Sequence, residues 1–265
     1  MAKLKSVLQF NGSVQGLTIY HLPGVKEPIV RATWGPSVHD IQSKPQYDVL
    51  RRNLSENSGR GKAVHWLMKA FNPLKGLADA DTAGQLNKLL RALQKSDTAR
   101  PFGQRAVLFS QYPQWLEGFV LTKAVTFDAV VRGEVYTKLE RDTLSAVVEL
   151  PALLPRLTFF APGSYPYCRL VSVLGVAPDL LPRPHGWGTD GDYANCSTQS
   201  SQTEWFATGA GLASTTLSLT LPYTPPTDAF ALVLTVGVQW GAPGPSGTIE
   251  PVRGRVGCGK ILAAG

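Results

Sequence analysis

The stretch whose residue types most invite a chemical reading is Ser58-Gly-Arg-Gly-Lys62. Glycines beside a lysine suit phosphate, because backbone N–H groups and an ammonium can cradle its oxygens. The phosphate-loop pattern needs a glycine five residues before the Gly-Lys pair and a serine or threonine after it. Glu56 and Ala63 stand at those positions, and no strand precedes them. The stretch therefore reads as an exposed helix face. Thr189-Asp-Gly-Asp-Tyr-Ala-Asn195 sets carboxylates at alternating positions, as a hard cation requires. Ala194, Asn195 and Ser201 then occupy places that need a ligand, a glycine and a glutamate, so a polar turn set by Asp190-Gly191 is the better account.

The other chemical patterns are incomplete. His21, His39, His65 and His185 lie far apart without metal-ligand spacing, and no Gly-x-Ser-x-Gly elbow occurs. Cys168, Cys196 and Cys258 are odd in number and widely spaced, which fits reduced thiols; a Cys168–Cys196 bridge stays open. His185-Gly-Trp-Gly188, with Tyr165, Tyr167 and Tyr193 nearby, reads as an aromatic plug over the end of a β-sandwich. These readings assign no catalytic residue, no metal and no cofactor, and they predict a protein that is not an enzyme.

The elements that would position such residues change along the chain. Ser6–Phe10 and Val14–Tyr20 flank Asn11-Gly12-Ser13, a hairpin turn signal, and Pro28–Arg31 suits a third short strand. Ser37–Pro45 reads as an irregular connector, with Ser43 as N-cap and Pro45 as a first-turn residue of the next helix. Tyr47, Leu50, Leu54, Val64, Met68 and Phe71 recur on one helical face, interrupted by Ser58–Gly61, so either one helix with a narrow waist or two helices fit. Ala83–Lys95 is a clear amphipathic helix with Leu86, Leu89, Leu90 and Leu93 on one side and Asp81 or Thr82 capping it. A further helix is expected over Pro101–Gln111 with Thr98 as its cap. Strands are expected at Val120–Val125, Val135–Leu139, Ser145–Leu150, Leu157–Phe160, Cys168–Leu174, Glu204–Ala207, Thr215–Leu221, Ala229–Gln239 and Pro251–Val256.

The expected fold class is α+β. A β-hairpin arm over residues 1–35 and a basic helical region over 36–117 precede an antiparallel β-sandwich-like domain over 118–265. The chain has 265 residues, of which 26 are Gly and 20 Pro without a collagen-like period. No apolar run reaches bilayer-spanning length, since Ala229–Trp240 is too short. Gln9, Asn11, Gly12 and Ser13 interrupt any leader-like apolar region. The chain reads as made in the cytoplasm without a secretory signal peptide, and an extracellular or virion-like assembly is one destination left open.

Charge is divided unevenly. The net charge is +7, with +9 carried by residues 1–110 and −2 by the rest. Arg51, Arg52, Arg60, Lys62, Lys69, Arg91 and Lys95 are the candidate residues for nucleic-acid binding, which counterion release would drive. Asp48, Glu56, Asp79 and Asp81 interleave with them, so any such binding is expected to be weak and non-specific. The C-terminal half shows the opposite: from Trp205 to Ile249 only Asp228 is charged, and no lysine occurs from Leu139 through Gly259. Exposed strand edges normally carry lysines against unwanted pairing, and interface cores are depleted in charge.

Phe10-Asn-Gly-Ser-Val-Gln-Gly-Leu-Thr-Ile-Tyr20, Ile29-Val-Arg31 and the helical Arg51-Arg-Asn53 resemble a family of uncharacterised bacterial proteins. In these a Gly-rich β opening precedes helices and a β-rich remainder. The likeness covers mainly residues 1–75 and implies no activity or catalytic residue. The leading expectation is a structural subunit that assembles with itself into a filament, shell or virion-like particle. Phe10, Val14, Leu17, Ile19, Tyr20, Thr216 and Ser218 are its candidate contact residues, acting through strand addition. The alternatives are a nucleic-acid-binding protein and a carbohydrate- or ligand-binding β module.

Overall fold

The structure is a computed structural model that describes residues 2–3, 11–22, 25, 27–32, 35–162, 165–196, 198–245, 247–252 and 254–265. The chain forms two compact units, Met1–Arg51 and Arg52–Gly265.

The first unit holds four short strands, β1 (Ala2–Lys3), β2 (Gly12–Val14), β3 (Leu17–Tyr20) and β4 (Ile29–Ala32), in the antiparallel order β1-β4-β3-β2. The β2–β3 turn is Gln15-Gly16, both with positive φ (47° and 78°). Two left-handed residues in a row make the tight turn that matches strand twist. The turn thus lies after the Asn11-Gly12-Ser13 signal, whose Gly12 and Ser13 belong to β2; Ser6–Phe10 lies outside the described residues. Ser37–Pro45 is not irregular, because it contains α1 (Val38–Ser43). Ser37 Oγ accepts the Asp40 N–H at 3.0 Å and Asp40 Oδ2 accepts the Ser37 N–H at 3.2 Å, a reciprocal cap that satisfies two otherwise orphaned donors. Ser43 is the last residue of α1 and not an N-cap, whereas Pro45 does open a short 3-10 turn, Pro45–Tyr47.

A single helix, α2 (Asp48–Ala70), then runs unbroken through Ser58–Gly61. In the second unit α3 (Thr82–Lys95) comes next, burying Leu86, Leu90 and Leu93, and then the short α4 (Phe127–Val130). The strands are β5 (Tyr136–Glu140), β6 (Ser145–Leu150), β7 (Tyr167–Pro178), β8 (Leu181–Arg183), β9 (Gly186–Gly188), β10 (Gln199–Gln202), β11 (Phe206–Ala207), β12 (Thr215–Thr220), β13 (Phe230–Pro243), β14 (Ile249–Pro251) and β15 (Gly257–Ala264). The larger sheet has the order β10-β7-β13-β14, with β11 also on β7 and β15 on β13. A smaller sheet, β12-β6-β5, faces it, and β8 with β9 forms a separate ribbon. Every strand pairing is antiparallel, and with the helices this makes an α+β fold.

The central pair explains the layering. β7 and β13 pair over their length, from Phe230 opposite Pro178 to Gly241 opposite Tyr167. Leu170, Leu174, Val176, Leu232, Leu234 and Val236 pack toward β6 and β12 in one core. Val171, Val173, Ala177, Ala231 and Val233 join Leu67, Phe71, Leu86 and Leu90 of the helical layer in a second core. Strands covered on both faces need apolar residues at every position, so Ala229–Trp240 reads as a continuous run and not an alternating one. A Cβ at Gly175 would collide with the backbone of Ala70, so the missing side chain there is what lets the end of α2 lie directly on β7. The helices of 52–117 consequently share a unit with the strands, and the boundary expected after residue 117 falls inside it.

No helix forms over Pro101–Gln111. Carboxylates from elsewhere take its amides: Glu56 accepts the Gly103 N–H at 3.0 Å, Asp97 accepts that of Ala106 at 2.7 Å, and Asp179 accepts that of Ser110 at 2.9 Å. Asp97 also accepts the Ala99 N–H at 3.1 Å, so the turn there is organised by Asp97 and not by Thr98.

Candidate functional site

Helix α2 uses opposite flanks of the Ser58–Lys62 stretch for two purposes. On one flank Gly59 lies under the Trp187 indole, where a Cβ would stand 2.5 Å from the ring. Lys62 Nζ donates to the Trp187 carbonyl at 2.7 Å, and further along Lys69 Nζ donates to the Ala194 carbonyl at 2.7 Å. Trp187 of β9 therefore closes onto α2 and not over the end of the sandwich. Tyr193 is buried in the core between the sheets and shares a hydrogen bond with Thr227 Oγ1 at 3.0 Å.

On the other flank Arg60, 8% exposed, reaches toward α3. Its Nε donates to Asn87 Oδ1 at 3.2 Å, Nη1 to Gln94 Oε1 at 2.6 Å and Nη2 to Asn57 Oδ1 at 3.2 Å. All three partners are neutral amides. Burial lowers the Arg60 pKa from its ordinary value, and the neighbouring Arg91 and Arg105 push the same way against Glu56. Glu56 itself is engaged elsewhere, accepting Arg105 Nε at 2.6 Å and Nη2 at 2.8 Å in a bidentate pair. Burial opposes the Glu56 charge, but Arg105 and the Gly103 amide outweigh it and hold the carboxyl below the usual range. Asp97 behaves alike: burial is overcome by the Ala106 amide and Arg100.

Between α2 and α3 opens a groove of about 700 Å³. Asn57, Arg60, Gly61 and Val64 line it from α2 at helical spacings of three and four, so one face supplies them all. Across it stand Gly84, Asn87, Lys88 and Arg91 of α3. Nothing lies within 4 Å of where a Cβ on Gly61 or Gly84 would sit. Lys88 and Arg91 are exposed and have no hydrogen-bond or ion-pair partner among the described residues.

The seven cations singled out from sequence thus separate. Arg60 is buried, Lys62 holds β9 at the Trp187 carbonyl, and Lys69 holds the following turn at Ala194. Arg51 donates to the carbonyls of Ile41 at 2.7 Å and Lys44 at 2.9 Å, closing the end of α1. Arg52 is exposed but already engaged. Arg91 and Lys95 remain exposed on α3. A nucleic-acid stripe needs extended, solvent-facing cations: internal contacts take Arg51, Lys62 and Lys69 out of it, and Arg60 lies buried at a groove instead. Lys88, Asn57 and Asn87 are absent from the residues that sequence reasoning singles out; their spacing to Arg91 and Arg60 is the signal that could have found them.

Of the candidate self-assembly residues, Phe10 lies outside the described residues. Val14 is 53% exposed and Leu17 44%, while Tyr20 is half-buried. Ile19 is buried although Leu17, two residues before it on the same face of β3, is exposed. Thr216 and Ser218 are exposed, alternating with the buried Leu217 and Leu219 of the edge strand β12. β10 runs beside β12 without ladder hydrogen bonds to it.

Cys168, Cys196 and Cys258 are free thiols. Burial pushes Cys168 and Cys258 up to about 12, which suppresses the thiolate that nucleophilic chemistry requires. Among the described residues no helix is long and apolar enough to cross a membrane, and no three His, Cys, Asp or Glu side chains converge as a metal site. The Asp190–Asn195 stretch is a turn, with Gly191 at φ 105° and the Ala194 N–H on Asp192 Oδ1 at 2.8 Å. No family model, curated protein or solved structure matches the chain.

Proposed function

We propose that the chain is a non-enzymatic structural subunit that assembles with copies of itself, docking through the first unit, Met1–Arg51, which contains the arm expected over residues 1–35. The observation that carries this is the distribution of exposed apolar side chains. Among the described residues, Val14, Leu17, Leu22, Val25, Val38, Val49 and Leu50 are exposed in Met1–Arg51, against five large apolar residues in the much longer second unit. Buried aliphatic side chains in the first unit come down to Ile19 and Ile29 among the described residues. A unit of this size with so little core is not self-sustaining and gains stability from another surface. Each half-exposed Val or Leu contributes on the order of 1 kcal/mol when it is covered.

A second copy is the favoured occupant because the chain itself offers a complementary kind of surface. The outward face of β12 presents Thr216 and Ser218 at a sheet edge, in a stretch without lysine. Short strands of one copy can extend the backbone ladder of another, with side-chain alternation setting register. Light scattering coupled to size exclusion tests the proposal at micromolar concentration. A regular oligomer that dissociates when Leu17 and Val38 are both replaced by Ser supports it. A 28.6 kDa species throughout the range removes it.

A further inference from the structure

We propose that the groove between α2 and α3 binds a small phosphate-bearing ligand. The first reason is charge without a direct ion pair, since Glu56 acts on Arg60 only through space while its oxygens are held by Arg105. Arg60 is nine-tenths buried at the groove, yet its guanidinium is hydrogen-bonded only to the amide oxygens of Asn57, Asn87 and Gln94. A guanidinium has five N–H donors, and three are used, which leaves two for an oxyanion. Lys88 and Arg91 add two unpaired cations on the opposite wall, and no carboxylate lines the groove. Buried cations are ordinarily paired, since an uncompensated charge is costly. An anion in the groove supplies the missing partner.

The second reason is independent of charge. Gly61 sits in the interior of a 23-residue helix and Gly84 in the first turn of α3. Glycine in a helix interior costs about 1 kcal/mol relative to alanine. Gly59, two residues away, is explained by the indole that covers it; Gly61 and Gly84 have nothing within 4 Å. Both face the open groove, where the absence of a side chain lets a ligand approach backbone. Of the first N–H groups of α3, Thr82 donates to the Asp79 carbonyl at 3.2 Å and Gln85 to that of Asp81 at 3.0 Å, which leaves those of Ala83 and Gly84 at the groove, and its N-cap residue Asp81 makes no side-chain cap bond. The Asp81 carboxylate is held instead by Gln85 Nε2 at 2.8 Å and Lys123 Nζ at 2.9 Å. Amides, glycines and cations therefore converge on one space whose volume suits a small molecule. Nucleic acid is less favoured, because the further cations of α2, Lys62 and Lys69, are held by the carbonyls of Trp187 and Ala194 and do not continue the patch.

Titration calorimetry of the full chain with inorganic pyrophosphate tests this, with a single-stranded oligonucleotide as the second titrant. Saturable pyrophosphate binding with a Kd below about 1 mM is expected. It should weaken about tenfold or more in K88Q/R91Q and remain unchanged in K95Q, which alters a cation of α3 outside the groove. G61L should abolish binding while the melting temperature of the free protein stays equal or rises, which separates filling of the groove from misfolding. Absence of saturable binding, or binding indifferent to K88Q/R91Q and G61L, overturns the proposal. Tighter binding of the oligonucleotide than of pyrophosphate, lost in the same variants, overturns it in favour of a nucleic-acid surface.

Discussion

The two units of this chain treat apolar surface in opposite ways. In Arg52–Gly265 two long strands, β7 and β13, are covered on both faces, by a smaller sheet on one side and by helices on the other. Even its polar interior is organised: Glu56, Asp97 and Asp179 are buried and hydrogen-bonded to the amides of one non-helical segment. In Met1–Arg51 strands of two to four residues bury Ile19 and Ile29 and leave Val14 and Leu17 exposed, and the short α1 leaves Val38 71% exposed. The difference is one of chain length per element. A strand pair needs a covering layer to hold an apolar face, and the first unit has too few residues to build that layer. Low charge in the second unit likewise has two origins. Along β13 it reflects burial within the chain, whereas at Thr216 and Ser218 it is a property of the surface. Only the second bears on the proposed assembly.

The comparison predicts where substitutions act. The largest effect belongs to G175V, whose side chain would be driven into the Ala70 backbone between two layers. Loss of cooperative folding, or destabilisation of at least about 3 kcal/mol, is expected in denaturant unfolding. A stable, native-like G175V protein would break the account of the second unit as a packed three-layer body.

E56Q comes next. It removes the charge that Arg105 and the Gly103 amide face, and leaving the guanidinium buried without its partner should cost about 3 kcal/mol. The same carboxylate sets a pH dependence. Its pKa is lowered in the folded state, so its contribution is fully present above the ordinary glutamate value and is lost as pH falls through the lowered one. Asp97 acts in the same direction. Wild type should therefore lose stability on acidification below about pH 4.5 more steeply than E56Q, as thermal scans across pH would show.

The smallest effects on stability and the largest on association are expected from the first unit and the β12 surface. Removing residues 1–35 should leave the melting transition of the second unit within a few degrees while dispersing the assembly. An unchanged assembly would contradict docking by this segment, and a collapsed melting temperature would make the segment part of the second unit's own stability. S218K lies at the end of the series. An exposed position costs within about 0.5 kcal/mol, so circular dichroism melting should scarcely move, while an added lysine at that edge should block association. Assembly that persists in S218K sharpens the picture by excluding β12 as the contact.

Local pattern makes several elements legible. The leucines of α3 repeat with helical period, Thr215–Thr220 alternates buried leucines with exposed Thr and Ser, and the apolar run after Ala229 is too dense for a half-exposed strand. Helix α2 is ambiguous in the sequence because its glycines each carry a cost that only their surroundings explain. The turn at Gln15-Gly16 is masked because Asn11-Gly12 is the stronger dipeptide signal, and a left-handed Gln has no composition of its own to announce it. β15 leaves little trace because Gly257, Gly259 and flanking residues have little strand character; pairing with Val233–Gln239 makes it a strand.

What the sequence by itself determined is therefore whatever depends on neighbours within one or two turns of helix or along one strand. That covers the class of fold, the burial of β13, the amphipathic α3, the lysine-free stretch and the concentration of positive charge before residue 110. The tertiary structure alone decided what the individual charges do. Arg105 meets Glu56 across 49 residues and Lys62 meets the Trp187 carbonyl across 125. The segment after Pro101 gives its amides to the carboxylates of Glu56, Asp97 and Asp179 in place of helical carbonyls. Arg60 and Arg91 look alike in the sequence, yet one is buried among amides and the other stands free on the facing wall. Desolvation and partner geometry, which separate the two, arise only when distant parts of the chain are brought together.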